Sequence, residues 1–273
     1  MRQKYTLEMV FLLMVIALSL VGFSSLWFGQ NSERTPYHYL HIATSLAWLL
    51  LLLSQLVLIR QNSFRRHRAI GQSILIAGPL LVASLMFLSV HSAAKKAAAG
   101  QADDLLVQNV GTTIQLALLV FLAFGLRRNR NVHASFLMST ALVFLGIALF
   151  FTFISYVPGF KIEGPETFSR FAKAGQTSSM VLLLIGLLFF LRNWRTGWPW
   201  LIAATFFTLN GFLQVYLDGT GRTLPLTQFV ASIGRGPAFG ASALFFGSLL
   251  WMAWKVDPSK RMKHLVVRQA TSD

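Results

Sequence analysis

Eight apolar stretches, each about 20 residues long, leave this chain little choice of fold. They fall at roughly 9–28, 37–59, 70–91, 105–126, 134–157, 176–191, 198–217 and 229–254. Hydrocarbon offers the backbone no water, so each stretch must satisfy its own N–H and C=O groups by forming a helix. The expected fold is all-α: a polytopic integral membrane helix bundle of about eight transmembrane helices over residues 1–254, followed by a basic cytoplasmic tail over 255–273. A soluble domain fails on composition, because 55% of the residues are hydrophobic and only 12% charged, which leaves too little polar material to cover a water-facing surface. The stretch at 176–191 is the shortest, and it spans only if Thr177, Ser178 and Ser179 enter the membrane.

The charges orient the bundle. Arg60, Arg65, Arg66 and Arg68 surround His67 in the connection RQNSFRRHRAIGQ, and positive charge in so short a loop favours the cytoplasmic side. Arg127, Arg128 and Arg130, Arg192 and Arg195, Arg2 and Lys4, and five Lys or Arg after Trp254 fall on that same side when both termini are cytoplasmic. The arrangement collects 16 of the 24 Lys and Arg inside, while six of the nine acids fall outside. A formal charge of +15 would suggest nucleic acid in a soluble protein; here the charges lie in short clusters between apolar runs, and topology with anionic headgroups accounts for them. Trp194, Trp198, Trp200, Trp251 and Trp254 fit interfacial belts. Met1 to Lys4 before an apolar run reads as a retained signal anchor, since no convincing cleavage site precedes Trp27.

Outer connections carry different expectations. SAAKKAAAG, from Ser92, extends the third helix until Gly100 ends it. Glu166 to Ala174 reads either as a short amphipathic helix at the interface or as a solvated connector, and DGTGRTLPLTQ at 218–228 as a flexible loop. Gly78-Pro79 places a proline within the third helix. Cysteine is absent, which excludes disulfides and thiolate-held metals. No phosphate-binding loop, dinucleotide fingerprint, HExxH or nucleophile elbow occurs.

The histidines fall into two layers. His38 and His41 open the second span and His91 closes the third at the outer face; His67 and His133 open the third and fifth at the inner face. Two imidazoles from separate helices are what haem b ligation requires, so His41, His67, His91 and His133 are the candidate cofactor ligands, with His67 and His133 as the inner metal-ligating pair. His38 either replaces His41 or faces water, and His264 belongs to the tail. His67 and His91 are 24 residues apart, about 36 Å along a helix, so such haems would lie close to the two interfaces. Without a cofactor, the same inner histidines and arginines make a cationic rim for phosphate or an anionic headgroup.

Polar residues at membrane depth need partners within the bundle. Gln55, Gln72, Asn109, Thr112, Thr113, Gln115, Gln176, Thr177, Asn210 and Gln214 are the main ones. Asn210 and Gln214, four apart on one helix face, either line a substrate or quinone cavity or join helices. Arg235 lies between Gly234, Gly236 and Pro237; it either binds an anion at a broken helix or stands in water before a span that starts at Pro237. Asn210, Gln214 and Arg235 are the candidate substrate residues.

HIATSLAWLLLLLSQLVLIR followed by HRAIG, and RRNRNVHASFLMSTALVFLG further on, resemble uncharacterised bacterial predicted membrane proteins, with a distant likeness to the two-haem cytochrome b561 type. The likeness spans about Tyr37 to Phe151 and rests on His41, Gln55, His67-Arg68, Gly71, His133 and Met138. It implies a multi-pass protein of a bacterial inner membrane holding haem b for electron transfer; the residues themselves point to a lipid bilayer with anionic headgroups and a quinone or membrane redox protein as partners, and to no nucleic acid. The alternatives are a transporter or a lipid- or anion-binding protein, a homo-oligomer, and a non-catalytic assembly subunit.

Overall fold

The computed structural model describes residues 5–28 and 35–255. The basic tail, His264, Arg2 and Lys4 lie outside the described residues. The helices are α1 (Thr6–Phe28), α2 (Pro36–Arg60), α3 (Phe64–Gly71), α4 (Ile74–Ala98), α5 (Leu106–Gly125), α6 (Arg130–Tyr156), α7 (Arg170–Arg192), α8 (Trp198–Gly219), α9 (Thr223–Ser232) and α10 (Arg235–Lys255), with a 3-10 turn at Pro165–Thr167. Among the described residues there is no strand. Eight helices, all but α3 and α9, are long and apolar enough to cross a membrane, as the eight apolar stretches require.

Local chemistry sets several boundaries. Pro36 opens α2, where its missing N–H costs nothing. The Asn129 side chain caps α6 by accepting from the Val132 N–H at 3.2 Å. Gly100 adopts φ 68° just beyond α4, a left-handed conformation that glycine takes without a Cβ penalty. The extension of this helix past its apolar part is therefore real.

Two connections differ from expectation. No separate helix forms over 166–174; the Thr167 hydroxyl accepts from the N–H groups of Glu163 and Gly164, holding a tight turn, and α7 then runs unbroken from Arg170. Phe171 packs edge-on against Phe150 of α6 with ring centroids 4.8 Å apart, which draws this segment onto the bundle. Thr177 enters the helix by bonding back to the Lys173 carbonyl at 2.9 Å, and Ser178 is buried. The second difference is the 218–228 loop, where Thr223 donates to the Asp218 carboxylate and starts α9.

α6 lies at the centre, packing on α1, α5, α7 and α8. α4 is the second hub, against α2, α5, α9 and α10. Trp48 of α2 is fully buried, and its indole N–H donates to Thr140 Oγ1 of α6 at 3.0 Å. Small residues allow the closest approaches: a Cβ on Gly22 of α1 would stand 2.5 Å from the Ala148 carbonyl oxygen of α6. Gly78 of α4 receives Leu250 and Phe246 of α10 in the same manner.

Arg127, just past α5, closes the basic end. Its guanidinium donates to the main-chain oxygens of Ala253 and Trp254, at 2.5 and 2.8 Å, and lies over the Trp254 ring. These carbonyls belong to the last described turn of α10. Arg127→Ala should cost about 2 kcal/mol, the scale of a charge-assisted hydrogen bond. Arg127→Lys should recover only part of it, because one ammonium does not reproduce the guanidinium fork. Thermal unfolding in detergent measures both.

Candidate functional site at the basic end of the bundle

α3 is built from FRRHRAIG, a sequence too short and too charged to span. The chain leaves α2 through Asn62 at φ 56°, and α3 then packs back on α2. Arg65, Arg66 and Arg68 are exposed, as are Phe64 and Ile70, and no residue of α3 is fully buried. His67 and Gly71 are four residues apart and share one face of α3. That face meets Gln55 of α2: a Cβ on Gly71 would lie 3.4 Å from Gln55 Oε1.

Gln55 is only 6% exposed, and both its amide oxygen and its amide nitrogen are buried without a hydrogen-bond partner. The Nδ1 of His67 is in the same condition. Three unpartnered polar atoms in one small region are unusual, since buried polar groups are nearly always satisfied and each orphan costs about 1–3 kcal/mol.

His133 comes to the same end from the first turn of α6. Its Nδ1 lies 2.7 Å from the Ala123 carbonyl oxygen; a carbonyl only accepts, so Nδ1 carries a proton, and in the neutral ring Nε2 keeps the lone pair. A backbone carbonyl orienting an imidazole in this manner is a usual support for a metal-ligating histidine. Burial first, and the His133 imidazole second, push His67 below the ordinary histidine value, with the Gln55 main-chain carbonyl opposing them. His67 thus lies within electrostatic reach of His133.

At the other end the rings of His38 and His91 meet at 5.9 Å, perpendicular to one another. The His38 Nδ1 hydrogen-bonds to the Thr35 hydroxyl at 2.7 Å, and His91 packs on Tyr37 at 4.6 Å. His41 is half-buried and its Nδ1 lies 3.5 Å from the Ser45 hydroxyl. It is thus His38 that touches His91, and His41 stands one turn deeper in α2. Arg235, the first residue of α10, is exposed; it donates to the Tyr37 hydroxyl at 3.0 Å and stacks over that ring.

The other candidate residues have partners on different helices. Asn210 and Gln115 exchange hydrogen bonds at 2.7 and 3.0 Å, joining α8 to α5. Gln214 accepts from the Val107 N–H and donates to Asp218. Beside this seam lies a cavity lined by Gln108, Thr112, Gln115, Val143, Leu182, Ala203, Phe206 and Phe207, with room for about one water molecule. Asn210 therefore spends its amide on α5 and Gln214 divides its own between α5 and Asp218 of α8, whereas Arg235 faces α2.

Sequence reasoning passed over Asp103. It is 3% exposed, its Oδ1 accepts from the Leu105 N–H, and its own N–H reaches Thr227 Oγ1 at 3.1 Å. The signal was the acidic pair before the apolar run of α5, a helix-start pattern. Among the described residues, no group of three or more His, Cys, Asp or Glu is arranged to hold a metal ion; axial ligation of haem needs only a pair of imidazoles. Compared with known proteins, the chain matches no family model, no curated protein and no solved structure.

Proposed function

We propose that this is a redox protein of a bacterial inner membrane, with both termini cytoplasmic, that holds haem b between His67 and His133 at its cytoplasmic end. The opposite end would hold a second haem through His91, with His38 or His41 as the other ligand. The observation that carries the reading lies at the basic end: the Ala123 carbonyl holds the His133 Nδ1, and burial first and His133 second push His67, on another helix, below the ordinary histidine value. Two imidazoles from separate helices are what holding haem b requires. Bound there, haem would supply a one-electron carrier. The chain's own part is to orient the rings and to set positive charge around them, with Arg65, Arg66 and Arg68 exposed on α3 and drawn to anionic headgroups.

A reduced-minus-oxidised visible spectrum of the protein, purified in mild detergent after expression with ample haem, tests this. Narrow low-spin b-type bands are expected, and His133→Ala should abolish the band of the inner site altogether, while Gln214→Leu should leave the spectrum intact. A colourless wild-type protein in full yield would end the haem reading and leave the cationic rim as an anion-binding surface.

A further inference from the structure

The three unpartnered atoms at the α2–α3 junction are not used by axial ligation. An imidazole that gives Nε2 to iron keeps Nδ1 for a hydrogen bond, and in His67 it is Nδ1 that is buried with no partner. Gln55 places a donor and an acceptor beside each other, both buried and both unused. The amide is neutral, so it does not select a fixed charge. What it selects is a headgroup that accepts a hydrogen bond through a carbonyl in one state and donates one through a hydroxyl in another.

The route of entry narrows the class further. The site lies beneath α3, which has no fully buried residue and exposes Phe64 and Ile70, so what screens Gln55 on that side is a short amphipathic helix. Gly71, at the junction with α4, lies against Gln55: a Cβ there would already touch Oε1 at 3.4 Å, so a larger side chain would crowd the amide. A ligand arriving there comes from the bilayer.

We infer that Gln55, His67 and Gly71 form a headgroup site for a membrane-soluble quinone or quinol. The Gln55 Nε2 hydrogens face a quinone carbonyl, Gln55 Oε1 accepts from a quinol hydroxyl, and His67 borders the site. This deepens the redox reading by naming a substrate class for the same end of the bundle, and binding alone is claimed.

The test is isothermal titration of the full chain in lipid nanodiscs with a short-chain 1,4-benzoquinone. Saturable one-site binding is expected. Gln55→Leu should weaken it tenfold or more, and Gly71→Val, which keeps the amide but crowds it, should do the same. The haem spectrum of both variants should match that of the wild type. Absent binding, or binding unchanged in both variants, would overturn the site and assign the orphaned atoms to bound water alone. Binding by a colourless protein would uphold the site and remove the haem; a haem spectrum without binding would do the reverse.

Discussion

Gly186→Val should drive α7 and α8 apart and cost about 3 kcal/mol, the upper part of the range for overpacking. A Cβ on Gly186 would overlap that of Ala204 and stand 2.9 Å from the Trp200 carbonyl oxygen, so neither partner can yield without moving backbone. Trp200 also stacks on Phe189 at 4.0 Å, and Phe11 of α1 sits edge-on to both rings. The displacement therefore reaches a third helix. Gly175→Val in the same helix is the control, because nothing lies within 4 Å of a Cβ there. A thermal midpoint for Gly186→Val equal to that of Gly175→Val would refute the close-packed α7–α8 seam.

Asn210→Leu should destabilise the protein by about 2 kcal/mol, mainly by leaving the Gln115 amide without its partner. The two amides exchange both hydrogen bonds, and Gly111 exists beside them because a Cβ there would lie 2.6 Å from Asn210 Oδ1. Removing both partners is a different experiment from removing one. The double replacement of Asn210 and Gln115 by Leu should recover more than half of the loss, since it leaves no orphan. If the double variant is as unstable as the sum of the singles, the pair is not the unit of stabilisation.

The spans were readable because membrane helices announce themselves in composition: apolar length for the helix, arginine clusters for its ends. What was not readable is whatever depends on short charged or mixed segments. FRRHRAIG has no apolar run, so α3 reads as a loop until Asn62, at positive φ, turns it back against α2. TLPLTQFVAS hides α9 behind Gly219 and Gly221, and its start depends on the Thr223–Asp218 contact.

The site shows the same division. Gln55, His67, Gly71 and His133 all stood out in the sequence as residue types, yet Gln55 and His67 are separated by the α2–α3 turn, and no periodicity reports how that turn folds. His38 and His41 are three apart, and which of them meets His91 depends on the rotation of α2 about its axis, a matter settled by packing against α4. Asn210 and Gln214 show the limit of reading polar residues from sequence, for a lining residue and a packing residue are written with the same letters.

The α1–α6 contact bears on how the chain is assembled. α1 finds its main partner in α6, a helix made only after α2, α3, α4 and α5. Until then α1 has only its smaller contact with α2. Its composition suits the delay, with a mean hydropathy of 2.3 over its apolar window and no Asp, Lys or Arg along the helix. The close approach at Gly22 is filled only when α6 arrives, so a ribosome halted before α6 would leave α1 inserted without its main partner.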